Sequence, residues 1–239
     1  MVYQEKPQPK MINIAIDGFS GCGKSTLARD LAKNLGFRFV DSGALYRAMT
    51  YLVIRSEGSL FERIERVVHS KPNLTFTIGS NRMLINGKDC ESDIRGAEVA
   101  NNVSEIAKDS KIRDYLKGIQ ADMIRNKGVV MEGRDIASVI MPKAELKLFI
   151  TASVTARVDR RYRQLLEGNE KLSKEEIQLN LMTRDEQDIN RKTAPLCLVD
   201  KAIVIDTTYL SRSEQLKFVL ALVNPILKPQ ELLPLIVKS

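Results

Sequence analysis

The sequence has few of the residues on which metal centres, disulfides and redox chemistry depend. Only three of its 239 residues are cysteines, Cys22, Cys90 and Cys197, and His69 is the single histidine. The cysteines are scattered and odd in number, so they predict neither a zinc site nor a disulfide framework. We therefore expect a reducing compartment. We expect no chemical role for His69, which lies in a polar stretch.

Long apolar runs and aromatic residues are also missing. No run reaches the roughly 18 apolar residues that a membrane span needs. The first ten residues are polar, with Pro7 and Pro9, and lack the apolar centre of a signal peptide. We therefore expect a soluble cytoplasmic protein with no membrane partner. Aromatic residues make up 5% of the chain, too few to predict a stacking surface for nucleic acid.

Positive charge and hydrophobic residues are plentiful by contrast. The chain carries 37 lysines and arginines against 30 acidic residues, and the net charge of +7 suits an anionic ligand. Composition does not distinguish a nucleotide from a nucleic acid. Hydrophobic residues make up 44% of the chain, enough to bury a core, and the length fits one elaborated domain or two small ones.

Short apolar strands alternate with helical segments along most of the chain. The predicted core strands are 11–16, 37–40, 129–132, 146–150 and 202–206. This alternation predicts a parallel five-stranded sheet flanked by helices, with ligands at the carboxyl ends of the strands. Residues 74–91 break the pattern, because apolar residues alternate with polar ones and Asn86-Gly87 signals a hairpin. We predict a small antiparallel insert of two or three strands there.

Helix signals complete this division of the chain. Further helices are predicted at 25–35, 44–55, 97–107, 110–126 and 154–166. Ser173 with Glu176, and Ser211 with Glu214, fit capping boxes that start helices running to about 189 and 223. We expect a disordered tail at 1–10, a core at 11–60 and 127–225 with a helical lid at about 157–192, and an insert at 61–126. The sequence leaves open how the tail at 226–239 is placed.

A glycine-rich stretch between the first strand and the first helix matches the phosphate-loop pattern G-x-x-x-x-G-K-[ST] in full. Its glycines let backbone N–H groups converge on phosphate oxygens, and Lys24 adds a positive charge. We expect the hydroxyl of Ser25 to ligate Mg²⁺. We expect ATP to contact the following residues: Gly18, Phe19, Ser20, Gly21, Cys22, Gly23, Lys24, Ser25 and Thr26. Cys22 fits as a small filler, and a redox role for it stays open.

The phosphate loop predicts a nucleoside triphosphate site but no particular reaction. GTPases, motor ATPases and small-molecule kinases share it. The guanine-reading motif Asn-Lys-x-Asp is missing, because Asn126-Lys127 is followed by Gly128-Val129. Only Glu132 closes a hydrophobic strand in the manner of a motor ATPase, and it begins Glu-Gly-Arg-Asp. A small-molecule kinase is therefore favoured.

Polar clusters at other strand ends indicate a second, anionic substrate. Residues 41–47 follow the second predicted strand, and residues 133–135 follow the third. Two basic helix faces accompany them: Arg184, Asp188 and Arg191 at i, i+4 and i+7, and Arg157, Arg160 and Arg161. Such faces are often only solvated surface. The placement of the first two clusters at strand ends favours a binding site.

Together these stretches resemble the bacterial cytidylate kinase family, from about residue 11 to 225. The matching stretches are 17–26, 41–47, 94–101, 133–135 and 184–195. The resemblance implies a kinase that transfers the γ-phosphoryl group of ATP to CMP or dCMP. Phe19 departs from the family's usual proline, and Glu132 from its usual aspartate.

The resemblance also implies a role for individual residues. Ser42, Arg184 and Asp188 would read the cytosine and sugar, with Asp135 supporting the amino group and Tyr46 packing near the base. Arg47, Arg113 and Arg134 would grip the acceptor phosphate. The catalytic group would comprise Lys24, Arg191, Asp135 and the lid residues Arg157 and Arg161.

Two other functions stay open at this point. One is a different small-molecule P-loop kinase, with UMP, AMP or shikimate as acceptor. The other is an NTPase stimulated by nucleic acid, which the basic charge suggests. A non-catalytic binding module is disfavoured by the intact Lys24, Ser25 and Arg191. We expect a monomer that binds small nucleotides and no nucleic acid.

Overall fold

The computed structural model describes residues 10–167 and 172–227. The strands are β1 (Asn13–Gly18), β2 (Arg38–Asp41), β3 (Leu74–Phe76), β4 (Met83–Ile85), β5 (Lys88–Asp89), β6 (Val129–Glu132), β7 (Leu146–Thr151) and β8 (Ile203–Asp206). The helices are α1 (Lys24–Leu35), α2 (Ser42–Ile54), α3 (Leu60–His69), α4 (Glu91–Ile94), α5 (Ala97–Ile106), α6 (Ser110–Ile124), α7 (Val154–Glu167), α8 (Lys174–Asn190) and α9 (Arg212–Leu227). A short π-helical segment spans Ile136–Ile140.

Five parallel strands form the main sheet, in the order β2-β6-β1-β7-β8. In its centre, Ile16 of β1 lies opposite Glu132 of β6 and Leu148 of β7. Strands β3, β4 and β5 form a separate antiparallel sheet. The predicted parallel sheet and small antiparallel sheet are both confirmed. The parallel register brings the ends of β1, β2 and β6 to one edge, where the polar clusters lie.

The main sheet is buried on both faces because its strands are apolar nearly throughout. Ile14 and Ile16 of β1 pack on one face with Leu27 and Leu31 of α1. On the other face Ala15 belongs to a cluster with Val40, Met131 and Ile136. Burial on both faces is typical of a parallel sheet, and it fixes the strand ends that carry the loops.

Two smaller hydrophobic clusters pack the helices and the small sheet that lie around the edge of the main sheet. One buries Leu45 and Met49 of α2 against Leu74 and Met83 of the small sheet and Leu116 of α6. The other joins α7 to α8 through Val158, Leu165, Ile177 and Leu181. The α7–α8 pair is thus a helical hairpin with its own apolar seam.

Helix boundaries follow capping signals where these are strong. Ser173 and Glu176 form the predicted capping box of α8, and Ser211 and Glu214 exchange the same two hydrogen bonds before α9. Helix α9 continues through Pro225 to Leu227, beyond its predicted end. The sequence reading missed α3, α4 and the π-helical segment. The tail expectations for 1–9 and 228–239 lie outside the described residues.

Within the described ranges, no helix combines the length and apolar character needed to cross a membrane.

Candidate active site

The phosphate loop connects the end of β1 to the start of α1. Gly18, Gly21 and Gly23 adopt φ values of 142°, 75° and 93°, in the range that glycine accepts without strain. A β-carbon on Gly18 would also collide with the backbone carbonyl of Ile150 in the neighbouring strand β7. The tight turn therefore requires glycine, as the sequence motif predicts.

Lys24 is buried beneath this loop. Its Nζ donates a hydrogen bond to the carbonyl oxygen of Phe19 over 2.7 Å. Burial, reinforced by the nearby Arg134, lowers the pKa of Lys24. Among the described residues its hydrogen bonds go to that carbonyl oxygen and, at 3.8 Å, to Cys22 Sγ, so a phosphate close by would compensate for the buried charge.

The Ser25 hydroxyl on the first turn of α1 faces the end of β6. Its Oγ donates to Oε1 of Glu132 over 2.7 Å. Burial raises the pKa of Glu132, and the Asp41 carboxylate acts in the same direction. Cys22 is also buried, with its Sγ 3.0 Å from the Phe19 carbonyl oxygen. It occupies a gap inside the loop, consistent with a filler.

Asp135 lies at the centre of the acceptor side. One of its oxygens pairs with Nη2 of Arg113 at 2.5 Å, and the other lies 3.3 Å from Nη2 of Arg191. The Arg113 guanidinium is 5.5 Å from the centre of the Tyr46 ring. Burial raises the pKa of Tyr46 to about 12. Three residues predicted for the site are thus gathered around one buried carboxylate.

Arg134 connects the acceptor side to the phosphate loop. Its Nε donates to Oδ2 of Asp188 over 2.7 Å, and its Nη2 donates to Oγ of Ser20 over 2.9 Å. Asp188 also lies 3.8 Å from Nη1 of Arg191. Helix α8 ends at Asn190, so Arg191 continues beyond the helix in extended backbone while its side chain turns into the cleft.

Two further predicted arginines face this cluster without forming an ion pair to any described residue. Arg47 lies on α2, where burial lowers its pKa. Partial loss of solvent and the neighbouring Arg134 and Arg47 lower the pKa of Arg184 to about 10. Ser42, the first residue of α2, is buried beside Gly133. Arg134 lies close enough to Arg47 and Arg184 to contribute to lowering the pKa of each, and such a concentration of positive charge favours an anion.

The three arginines of the predicted basic face in the lid lie on α7 and differ in burial and in their contacts. Arg157 is buried, donates from Nη1 to the Ser20 carbonyl oxygen at 3.1 Å, and pairs with Asp185. Arg160 donates to the Cys22 carbonyl oxygen at 3.3 Å. Arg161 is exposed and contacts Gln164 on its own helix. The structure therefore brings Arg157 and Arg160 to the phosphate loop, whereas Arg161 is close enough to Arg184 on α8 to contribute to lowering its pKa.

The sequence reading missed several residues that shape the site. The Asp17 carboxylate accepts hydrogen bonds from the backbone N–H groups of Ile136 and Ala137, at 2.9 and 2.7 Å. Arg95 pairs with Asp41, which caps the start of α2. Asp17 and Arg95 lie inside the stretches that carried the resemblance. That overlap was the only available signal for them.

Comparison with known proteins identifies the family. The sequence model described as cytidylate kinase matches residues 14–225. A cytidylate kinase of Flavobacterium psychrophilum is 44% identical over 226 residues, covering 91% of this chain and all of that protein. The enzymes of Flavobacterium johnsoniae (42% identical, 92% and 99% covered) and Caldanaerobacter subterraneus subsp. tengcongensis (40%, 85% and 90%) are similar.

A solved shikimate kinase from Bacteroides thetaiotaomicron aligns with 91% of this chain and 99% of its own, at 14% identity and a TM-score of 0.45. That likeness is too distant to support a conclusion. The family match spans nearly all of the described chain, and the curated relatives are covered over at least 90% of their length. The expected family is confirmed, and the chain belongs to the cytidylate kinase family.

Proposed function

We propose that this chain transfers the γ-phosphoryl group of ATP to CMP or dCMP in the cleft at the ends of β1, β2 and β6. The products are ADP and CDP or dCDP. The observation that carries the proposal is the double contact of Arg134, to Ser20 of the phosphate loop and to Asp188 of the acceptor side. One side chain thus touches both halves of the cleft.

The donor half would hold the ATP phosphates through the loop backbone and Lys24. The Ser25 hydroxyl and the Glu132 carboxylate, 2.7 Å apart, are the oxygen donors that Mg²⁺ prefers. When bound, Mg²⁺ would neutralise charge on the β- and γ-phosphate oxygens. Ser25 would then ligate the ion directly, and Glu132 would orient Ser25 or a water at the ion.

The acceptor half would bind CMP through the clustered arginines and carboxylates. Arg47, Arg113 and Arg134 would grip the phosphate. Ser42, Arg184 and Asp188 would read the base and sugar, while Asp135 supports the amino group and Tyr46 packs alongside. What supports these roles is the convergence of the side chains in one cleft, with Arg47 and Arg184 free of ion pairs to described residues.

The transfer itself needs positioning and positive charge more than acid–base groups. An oxygen of the CMP phosphate attacks the γ-phosphorus, and the bond from that phosphorus to the β–γ bridging oxygen breaks. The attacking oxygen is already anionic, so no strong general base is required. Lys24 and Arg191 would neutralise charge on the moving group, and the loss of one such contact typically costs about 3–4 kcal/mol of barrier.

The α7–α8 hairpin would act as the lid of this cleft. Arg161 is exposed on α7 and near Arg184 of the acceptor side, so closure of the lid would bring it to a phosphate. Closure would exclude water, so that ATP meets CMP and is not hydrolysed. The division into core, 61–126 insert and lid is part of the same proposal.

We also propose that the chain works in the cytoplasm as a monomer, on free nucleotides and without nucleic acid. All three cysteines are unpaired, which suits a reducing compartment.

A panel of acceptors tests the substrate. ADP release would be measured with ATP and, separately, CMP, dCMP, UMP, AMP and GMP. We expect CMP and dCMP to react far faster than UMP, because a site that pairs with the cytosine amino group leaves polar groups unpaired when uracil binds. Preference for UMP or AMP, or ATP hydrolysis stimulated by DNA, would contradict the proposal.

A further inference from the structure

Asp185 on α8 has no part in the chemistry proposed above, yet its carboxylate is buried against the phosphate loop. Oδ1 accepts a hydrogen bond from the backbone N–H of Ser20 over 2.9 Å. Oδ2 pairs with Nη1 of Arg157 on α7. One carboxylate therefore ties both lid helices to the loop that would cradle ATP.

All three polar groups of Ser20 are held by charged side chains. Asp185 accepts from the N–H group, and Arg157 donates to the carbonyl oxygen at 3.1 Å. Arg134 donates to the hydroxyl oxygen at 2.9 Å. Hydrogen bonds to ionised groups are roughly twice as strong as neutral ones, so Ser20 is held through the peptide bonds on both sides of it and through its hydroxyl group.

These contacts close into a ring of four residues: Ser20, Arg134, Asp188 and Asp185. Arg134 joins Ser20 to Asp188, and Asp188 lies one helical turn from Asp185 on α8. The four-residue ring thus links the phosphate loop and the acceptor side to the same face of one helix.

Packing reinforces the attachment of the lid hairpin to the loop. A β-carbon built on Gly21 would lie 3.4 Å from Leu181 and 3.5 Å from the β-carbon of Arg157. The Arg157 guanidinium lies 5.4 Å from the centre of the Phe19 ring, which stands perpendicular to the ring of Phe149. Phe19 is the loop residue that departs from the family's usual proline, and here it provides a surface for Arg157.

We propose that Asp185 is a positioning residue for phosphoryl transfer. It fixes the Ser20 peptide and thereby sets the phosphate loop relative to α8, and Arg157 acts through the same contact without touching the moving phosphoryl group. This role differs from the catalytic one that the family resemblance implies for Arg157. The inference rests on the proposed function, because it concerns the ATP half of that reaction.

The substitution Asp185→Asn tests the role directly. Asparagine keeps an oxygen for the Ser20 N–H but loses the charge that holds Arg157. We expect kcat/KM for ATP to fall by about tenfold or more, and KM for CMP to stay within about twofold, because the contact of Arg134 with Asp188 remains. Glu186→Gln, an exposed neutralisation at the next position of α8, is the matched control and should behave as wild type.

A second variant separates positioning from folding. Arg157→Gln should lower kcat/KM for ATP in the same way. The double variant should have about the same kcat/KM for ATP as the less active of the two single variants, because both changes break the same contact. Kinetics would be measured well below the melting temperature of each variant. The positioning role would be overturned if the losses of kcat/KM for ATP added in the double variant. It would also be overturned if kcat/KM fell equally for ATP and CMP, in proportion to the fraction of unfolded protein.

Binding of β,γ-imido-ATP by titration calorimetry distinguishes the two proposals. Weaker binding to Asp185→Asn than to wild type supports the role of Asp185. If wild-type protein binds the analogue but transfers no phosphoryl group from ATP to CMP, the proposed function is contradicted. Unchanged binding together with unchanged kcat/KM for ATP in Asp185→Asn contradicts only the role of Asp185.

Discussion

Ser25 Oγ donates a hydrogen bond to Glu132 Oε1 across 2.7 Å, from the first turn of α1 to the last residue of β6. Two residues more than a hundred positions apart in sequence thus meet at the edge of the sheet. Both offer oxygen atoms, and the carboxylate supplies the negative charge that a divalent cation needs. The pair is therefore where the dependence on Mg²⁺ can be tested.

Replacing Glu132 by glutamine should weaken the use of Mg²⁺. The amide can still accept from Ser25 but no longer offers negative charge, so we expect the Mg²⁺ concentration for half-maximal activity to rise by about tenfold. Titrating MgCl₂ at saturating ATP and CMP measures the effect. Glu98→Gln, an exposed change on α5, is the control. An unchanged Mg²⁺ requirement would remove Glu132 from the metal site.

The same variant should reveal the cost of burying this carboxylate. Burial raises the pKa of Glu132 above its usual 4.5, so the unfolded chain loses the proton at lower pH than the folded one. Wild-type stability should therefore fall relative to Glu132→Gln as pH rises from about 4.5 through the folded-state pKa. Melting temperatures between pH 4.5 and 8 check this. A difference that shrinks with rising pH would contradict it.

Arg191→Lys should lower turnover far more than ATP affinity. Lysine keeps the charge but loses the planar fork that reaches Asp135 and would bind a phosphate oxygen at the same time. We expect kcat to fall by about tenfold to a hundredfold, with ATP binding within about threefold of wild type. Arg163→Lys on the exposed lid surface is the matched control. Full turnover in Arg191→Lys would exclude a role at the transferring phosphoryl.

Arg184→Gln should separate substrate binding from folding. Among the described residues Arg184 has no ion pair, and its close neighbours include the cations Arg134 and Arg47. We expect KM for CMP to rise by about tenfold, while the melting temperature of the nucleotide-free protein stays equal or increases. Lys192→Gln, just beyond α8, is the control. A large drop in melting temperature would show that Arg184 has a structural role.

ATP hydrolysis in the absence of an acceptor should be slow. Lid closure over both nucleotides excludes water, so we expect the rate without CMP to be at least about a hundredfold below the rate with CMP. Phosphate release measures the first rate, and ADP release the second. Rapid hydrolysis without CMP would show that the lid does not guard the cleft.

The sequence predicted the strand, loop and helix around the phosphate-loop motif because that arrangement is local. Residues 18–25 are contiguous, and their glycines and Lys24 need no distant partner to be recognised. The five strands of the main sheet could be predicted for the same reason, since each is a short apolar run bounded by turns or helices. The fold class therefore followed from pattern alone.

Contacts between distant elements could not be predicted in this way. The bond between Asp185 and Ser20, and the pair of Asp41 with Arg95, exist only because packing brings α8 and α4 to the sheet edge. Neither acidic residue carries a local sign of its partner. The roles inferred for the acceptor residues depended on family resemblance for the same reason.

The missed elements have identifiable causes. Helix α3 begins with Ser59 and Glu62 as a capping box, a signal present in the sequence but overlooked beside the insert. The π-helical segment had no such signal. The Asp17 carboxylate accepts from the N–H groups of Ile136 and Ala137, which precede the first backbone bonds of the segment. Val139 and Ile140 both donate to the Asp135 carbonyl oxygen, and Met141 donates to that of Ile136, five residues back. A distant carboxylate thus caps the start of this segment, and a residue 119 positions away gives no local signal.

The close approach of Gly18 to the Ile150 carbonyl limits how this chain can vary. Every residue other than glycine would place an atom where that backbone oxygen lies, and no side-chain rotation relieves it. A saturation library at position 18 should therefore return glycine alone among functional clones. Position 22, where a small buried thiol fills space, should accept alanine or serine.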